Sequence, residues 1–292
     1  MTHAGFIGLG MMGAPMAHRL HAQGVSLTIR DADPQREESF IASHAGAKRA
    51  LDAKDFSDCQ FVFTMLPNSD IVEETLSALL PYLSGGTTVV DMSSADPNRT
   101  RALATTLAGR HVALLDAPVS GGVKKAAAGT LAIMVGGEPD DLARARFLLE
   151  MMGQAITHVG PVGAGHALKA LNNYVSVAAL IATSEAIHAG AAFGIHPEVV
   201  VDVINASTGK NNTTENKAHQ YMLSGAFDSG FSLALQAKDV GIAVGLARAL
   251  GQPMSLGEQA SQITQAASRA LGPAADHTEI HRYLATLRAH TP

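Results

Sequence analysis

Three places in this 292-residue sequence set ligand-gripping or reactive residue types at meaningful spacings. The first is Gly8-Leu9-Gly10-Met11-Met12-Gly13, a G-x-G-x-x-G run that follows the apolar segment from Ala4 and opens a helix-period stretch. Such a turn brings backbone N–H groups close to a pyrophosphate with no Cβ in the way, and the helix N-terminus adds free donors and the positive end of its dipole. A tight strand-to-helix turn without any ligand carries the same glycines. Asp31 ends the next apolar run, about 20 residues further on, where a carboxylate accepts from ribose hydroxyls and repels a 2′-phosphate. NAD is favoured there over NADP, although Arg30 and Arg36 stand beside it as possible phosphate partners. The second place is Lys169, Asn173 and Ser176, spaced i, i+4 and i+7 on one helical face amid Ala, Leu and Val. A lysine partly desolvated beside a positive charge gives up its proton more readily and can serve as a base for an alcohol, while Asn173 can hold the oxygen. A lysine snorkelling to solvent occupies the same kind of position. The third is Ser120-Gly121-Gly122, either a nest of N–H groups and a hydroxyl suited to a carboxylate or an ordinary glycine turn.

These residues need elements to hold them. Short apolar runs at Ala4 to Gly8, Ser26 to Arg30, Phe61 to Leu66, Thr88 to Asp91, Ala113 to Asp116 and Leu131 to Val135 read as strands. They alternate with helix-period stretches at Met12 to Gln23, Arg36 to Ser43, Ile71 to Leu83, Asn98 to Ala108 and Glu138 to Met152. That alternation predicts an α/β fold with a doubly wound parallel sheet over residues 1–163. From residue 164 to 292 no convincing strand appears, and an all-α domain is expected. It begins with one long helix at about 166–194, roughly 42 Å at 1.5 Å per residue, suited to linking the two domains. Further helices are expected at Glu198 to Ala206, Asn216 to Leu223, Leu233 to Leu250, Leu256 to Leu271 and Glu279 to Arg288.

Composition narrows the function. With 47% hydrophobic and 16% charged residues and a net charge of -5, the chain reads as a soluble globular protein. Nine Phe, four Tyr, no Trp and no basic run leave neither the charge footprint nor the stacking surface of a nucleic-acid binder. A single cysteine, Cys59, excludes an intrachain disulfide and a Cys-based zinc site, no other metal site is expected, and a reducing, cytoplasmic setting fits. No Lys or Arg precedes Arg19 and glycines interrupt the apolar start, so no signal peptide is expected, nor any membrane span. The apolar helices after residue 195 exceed what one small domain can cover, which predicts a homodimer or homotetramer.

The segments Gly5 to Ala17, Thr64 to Asn68 (TMLPN), Asp91 to Pro97 (DMSSADP), Asp116 to Gly122 (DAPVSGG), Gly129 to Gly137, Gly163 to Asn173 (GAGHALKALNN) and Ala237 to Ala243 (AKDVGIA) occur in an order that resembles the β-hydroxyacid dehydrogenase family, the group of 3-hydroxyisobutyrate dehydrogenases and tartronate semialdehyde reductases. The resemblance runs the whole length and implies a Rossmann domain followed by a helical domain, with hydride moving between a nicotinamide and the hydroxyl-bearing (or semialdehyde) carbon of a small carboxylic acid. It assigns Lys169 as the catalytic acid/base, the Ser120-Gly121-Gly122 loop to the substrate carboxylate, and Lys238 to the rim where cofactor and substrate meet. Leu66, Pro67, Ile71 and Ser94 match positions near the nicotinamide ribose, though loop packing alone would also explain them. Met11, Met12 and Met16 read as helix core with close backbone contact, and His166 as a structural residue at a helix start. Two departures stand out: Lys124 and Lys125 where members carry small residues, and the polar Ser207 to Asn212 loop where several place an aromatic. With Lys210 they point to a polar hydroxyacid, with a second acidic or hydroxyl group, over a methyl-branched one. Other readings are an imine or other carbonyl reductase and a non-catalytic dinucleotide-binding protein; the presence of Lys169 weighs against both.

Overall fold

The computed structural model describes residues 2–287, so of the expected terminal helix Arg288 lies outside the described residues. The chain divides into two compact units after Lys169.

In the first unit the sheet runs through β1 (His3–Ile7), β2 (Ser26–Arg30), β3 (Lys48–Arg49), β4 (Phe61–Thr64), β5 (Thr88–Asp91), β6 (Ala113–Asp116), β7 (Val119–Ser120), β8 (Leu131–Gly136) and β9 (Gly153–Gly160). Six strands are parallel in the order β3-β2-β1-β4-β5-β6, and β8 continues the sheet antiparallel to β6. Period-two alternation sends successive residues to opposite faces. Phe6, Phe61, Phe63, Val90 and Leu115 enter one core with α1 (Gly13–Ala22) and α6 (Pro139–Met152), and Ile7, Val62, Val89 and Leu114 enter the other with α3 (Ser69–Leu79) and α4 (Pro97–Ala108). Helices on both faces explain why the strands read as nearly continuous apolar runs. The expected doubly wound sheet is present. Three strands escaped the sequence: β3 and β7 have two residues each, and β9 mixes polar and apolar residues without alternation and with little burial. A short α5 (Gly122–Ala128) follows β7, and α2 (Pro34–Ser43) follows β2.

The second unit is built on α7 (Ala164–Phe193), of which only the first residues belong to the first unit. It continues with α8 (Pro197–Asn205), α9 (Asn212–Asn216), a π-helical turn over Ala218–Leu223, α10 (Leu233–Ala249), α11 (Ser255–Leu271) and α12 (Ile280–Thr286). Val177, Leu180 and Ile187 of α7, Leu233, Val240 and Val244 of α10, and Ala260 and Ala267 of α11 form its core. α7 is long and apolar enough to reach across a bilayer. Asn173, Thr183 and Ser184 are buried within it, and its Val177, Leu180 and Ile187 belong to the core of the second unit.

Candidate active site

In an open parallel sheet of this strand order, ligands bind at the carboxyl ends of the strands where the order reverses, here between β1 and β4. The loops after β1, β2, β4 and β5 meet at that end. Ile7 O accepts from Met65 N at 2.9 Å, Gly8 N donates to Arg30 O at 2.8 Å, and Leu66 N donates to Ser93 Oγ at 2.9 Å. Gly8-Leu9-Gly10-Met11-Met12-Gly13, Asp31, Leu66, Pro67, Ile71 and Ser94 therefore cluster at one edge, with Ile71 in the first turn of α3, capped by Asn68 at 3.0 Å.

The three glycines are not equivalent. Gly8 has φ +98°, and a Cβ there would sit 2.3 Å from Met65 O; a Cβ on Gly13 would sit 1.8 Å from Gly8 O. Both are dictated by the packing of the turn. A Cβ on Gly10 would meet only Arg36 Nη1, at 3.6 Å, and Gly10 has no left-handed backbone to explain it. The packing of the turn thus leaves the middle glycine unexplained, and the open space at Gly10 fits the close approach of a pyrophosphate. Asp31 fits the same group. Its Oδ2 accepts from Leu9 N at 2.5 Å and its Oδ1 from Asp33 N at 2.8 Å, which fixes the carboxylate and leaves acceptor capacity for ribose hydroxyls. Arg36 lies 3.7 Å from Asp31, and Arg30 and Arg49 are drawn to the buried Glu37. Met16 is fully buried, as expected of helix core, but Met11 is 70% exposed and projects from the loop. One hollow of about 650 Å³ lies away from these loops, at Thr2, Cys59 and Arg144, and another of about 650 Å³ lies between α1 and α2 and is lined by Leu9 of the glycine loop together with Asp33 and Arg36. Burial pushes the Cys59 thiol up to about 12, so it is inert.

Ser120, Gly121 and Gly122 link β7 to α5, with φ of +136° at Gly121 and +69° at Gly122. Two successive residues of that kind require glycine. The stem of Lys125 covers Gly121, since an added Cβ there would sit 2.6 Å from its Cδ, whereas Lys124 and Lys125 are otherwise exposed. Lys210 is exposed and paired with Glu215 at 2.8 Å.

α7 starts where it does because Asp116, at the end of β6, accepts from Gly163 N at 2.7 Å and His166 N at 2.8 Å, satisfying two orphan donors of the helix start. Burial raises the Asp116 carboxyl above its ordinary range, and His166 and these amide donors oppose that shift. The close seat explains the Gly-Ala-Gly sequence: a Cβ on Gly165 would sit 2.5 Å from Met134 O, and one on Gly163 2.8 Å from Pro97 O. His166 is buried and hydrogen-bonded to Thr100 Oγ1 at 2.9 Å through Nδ1. Because the Thr100 hydroxyl is already given to Asp96 O, His166 donates there, while its Nε2 is buried without a hydrogen-bond partner 3.7 Å from Asp91 Oδ2.

Further along the same helix face stand Lys169, half-buried, then Asn173 and Ser176. The Asn173 side chain donates from Nδ2 to Asp239 Oδ2 of α10 at 2.6 Å and accepts at Oδ1 from Asn172 Nδ2 at 3.2 Å, while Gln236 Nε2 of α10 donates to the Asn173 main-chain carbonyl at 3.0 Å. Its carboxamide is therefore fixed, with a second amide hydrogen left to offer. Lys238 lies 3.5 Å from Asp239, whose Oδ1 is buried without a hydrogen-bond donor. Ser176 Oγ accepts from Lys217 Nζ at 3.3 Å. Asp116, Asp239 and Lys217 are the residues the sequence reading missed. The first two lie inside quoted motifs, DAPVSGG and AKDVGIA; Lys217 lies in none.

Residues 3–160 match the family profile described as the NAD-binding domain of 6-phosphogluconate dehydrogenase, and residues 163–284 the one described as NAD-binding of NADP-dependent 3-hydroxyisobutyrate dehydrogenase. The chain is 36% identical over 271 residues to the 2-(hydroxymethyl)glutarate dehydrogenase of Eubacterium barkeri, covering 92% of this chain and 89% of that protein. It is 37% identical over 270 residues to the NAD-dependent L-serine dehydrogenase of Pseudomonas aeruginosa, covering 89% and 90%. The solved 3-hydroxyisobutyrate dehydrogenase of Mycobacterium tuberculosis with L-serine superposes with a TM-score of 0.91 at 34% identity, covering 97% of this chain and 99% of that one.

Proposed function

This chain belongs to the β-hydroxyacid dehydrogenases, NAD-dependent oxidoreductases acting on CH–OH donors, and from that premise we propose how its residues divide the work. NAD, when bound, supplies the hydride acceptor for alcohol oxidation and, reduced, the donor for the reverse reaction. Gly8, Leu9, Gly10, Met11, Met12 and Gly13 hold its pyrophosphate, Asp31 its adenosine ribose, and Leu66, Pro67, Ile71 and Ser94 flank its nicotinamide end. Lys169 takes the proton from the substrate hydroxyl as the carbon–hydrogen bond breaks, and returns it to the carbonyl oxygen in the reverse direction. Asn173 donates to that oxygen, Ser120, Gly121 and Gly122 receive the substrate carboxylate, and Lys238 closes the rim.

The observation that carries this reading is the Asn173 carboxamide one turn beyond Lys169 on α7, held by Asp239 and Asn172. A catalytic donor needs its orientation set in advance, and Asp239 of α10 and the neighbouring Asn172 set this one. The substrates named for the relatives above, 2-(hydroxymethyl)glutarate, L-serine and 3-hydroxyisobutyrate, each carry a hydroxymethyl group beside a carboxylate. A small 3-hydroxy acid is the substrate class proposed here. The test is a panel of such acids and semialdehydes read by nicotinamide absorbance, with Lys169→Ala and Lys169→Arg. Both variants are expected to lose on the order of 10² to 10⁴ in kcat with NADH affinity unchanged, because arginine keeps the charge but stays protonated. A Lys169→Arg enzyme with near-normal alcohol oxidation refutes the assignment.

The enzyme is further proposed to be a homo-oligomer. Phe193 is 87% exposed, and Ile195, Val199 and Val203 stand exposed beside it on α8 and the turn before it, an apolar patch that a second copy would cover. A monomer in sedimentation at micromolar concentration overturns this. A single buried thiol and a soluble fold support a cytoplasmic location.

A further inference from the structure

Lys217 is a half-buried cation that makes no ion-pair contact with a carboxylate among the described residues. It stands where α9 gives way to the π-helical turn, and its carbonyl accepts from both Tyr221 N at 2.9 Å and Met222 N at 3.3 Å. π-Turns are rare and concentrate at functional sites, where the widened backbone re-aims a side chain. The Lys217 ammonium reaches back to α7 and meets Ser176, on the helix face that carries Asn173 and Lys169. Nothing else satisfies it: among the described residues no carboxylate pairs with Lys217.

The nearest acidic group is already committed. Asp276 accepts from Ser229 Oγ, Gly230 N, Phe231 N, Thr278 N and Thr278 Oγ1, all within 3.3 Å, and so fastens the 229–231 loop to the turn before α12. It lies close enough to Lys217 to favour the ammonium, but burial outweighs it and pulls the lysine below its ordinary range. A half-buried lysine whose only partner is a hydroxyl is costly unless an anion completes it.

Resting on the 3-hydroxy acid reading above, we infer that Lys217, with Ser176, binds a second anionic group of the substrate, so that the preferred substrate is a hydroxy dicarboxylate. Ser176 lies on the same face of α7 as Asn173 and Lys169, seven residues beyond the lysine. The cationic contact expected from the sequence at Lys124, Lys125 or Lys210 is thus supplied instead by Lys217. Lys210 is neutralised by Glu215.

The test is calorimetric binding of glutarate and of butyrate to the NADH-loaded enzyme, for wild type, Lys217→Met and Lys217→Arg, beside turnover of 2-(hydroxymethyl)glutarate and 3-hydroxyisobutyrate. Wild type is expected to bind glutarate at least 10-fold tighter than butyrate, and the preference should weaken as pH rises and the ammonium is lost. Lys217→Met should bring the two acids level and leave 3-hydroxyisobutyrate turnover within a few fold. Lys217→Arg should keep most of the preference. Equal binding of the two acids to wild type, or a preference that survives in Lys217→Met, overturns the inference while leaving the hydroxyacid reading standing. Failure of every acid to bind or turn over overturns both.

Discussion

A methyl group added at Gly10 separates a glycine kept for the ligand from glycines kept for the fold. In Gly10→Ala the new Cβ sits 3.6 Å from Arg36 Nη1, ordinary van der Waals distance, and no positive φ opposes the substitution. The folded protein should gain or lose no more than about 1 kcal/mol, because the lost freedom of the unfolded chain offsets any small strain. In Gly13→Ala the Cβ falls 1.8 Å from Gly8 O, a backbone atom that cannot move without opening the β1–α1 turn, so a loss of about 3 kcal/mol or more is expected. The cofactor should feel the reverse ranking. A methyl that denies the pyrophosphate one charge-assisted hydrogen bond removes about 1.5–3 kcal/mol, weakening NADH on the order of 10- to 100-fold. Thermal unfolding without cofactor reads the first effect and NADH fluorescence titration the second. Gly10→Ala should unfold within a few degrees of wild type yet bind NADH poorly. A Gly10→Ala protein with wild-type stability and wild-type NADH affinity refutes the account of this turn.

Asp31→Ser should weaken NADH binding and raise NADPH binding, since it removes the repelling carboxylate and leaves Arg36 free of its 3.7 Å pair; unchanged discrimination in parallel titrations would contradict the role given to Asp31. Asp239→Ala should lower kcat by about 10-fold or more with KM for NAD unchanged, because it frees the Asn173 carboxamide to rotate; steady-state kinetics with the best substrate of the panel checks this. Burial, then the nearby Lys217 charge, holds the His277 imidazole down to about 4 from an ordinary 6.5. The unfolded chain therefore takes up that proton first, and this contribution to stability is complete above about pH 6.5 and lost as pH falls toward 4, at most about 3 kcal/mol. Denaturant unfolding at pH 7 and pH 5 should show the loss in wild type and a flatter dependence in His277→Gln.

What was legible in the sequence was whatever repeats locally. β1, β2, β5 and β6 are short apolar runs between turn residues, and their limits differ from the expected ones by a residue at most. α7 was legible from its unbroken Ala-rich pattern, and the G-x-G-x-x-G turn from its place between strand and helix. β9 was not, because an exposed edge strand reading Gln-Ala-Ile-Thr-His-Val carries no core pattern, and two-residue strands such as β3 and β7 carry no pattern at all.

The candidate site divides along the same line. Lys169, Asn173 and Ser176 were visible together because one helix spaces them, and spacing on a helix is a statement about a face. Asp239, which orients the Asn173 carboxamide, and Gln236, which bonds the Asn173 main-chain carbonyl, lie more than sixty residues away, and only the packing of α10 on α7 brings them there. Asp116 read only as the end of a strand and the start of the DAPVSGG segment, whereas its carboxylate is spent on the first amides of α7 and so sets where Lys169 stands. Lys217 sits in a polar stretch that periodicity reads as surface, and it becomes distinctive only when the structure shows that Glu215 has gone to Lys210 and Asp276 to its own loop. Charge placement of this kind is decided by which partners are already taken, a property of the folded contacts that residue type and spacing do not encode.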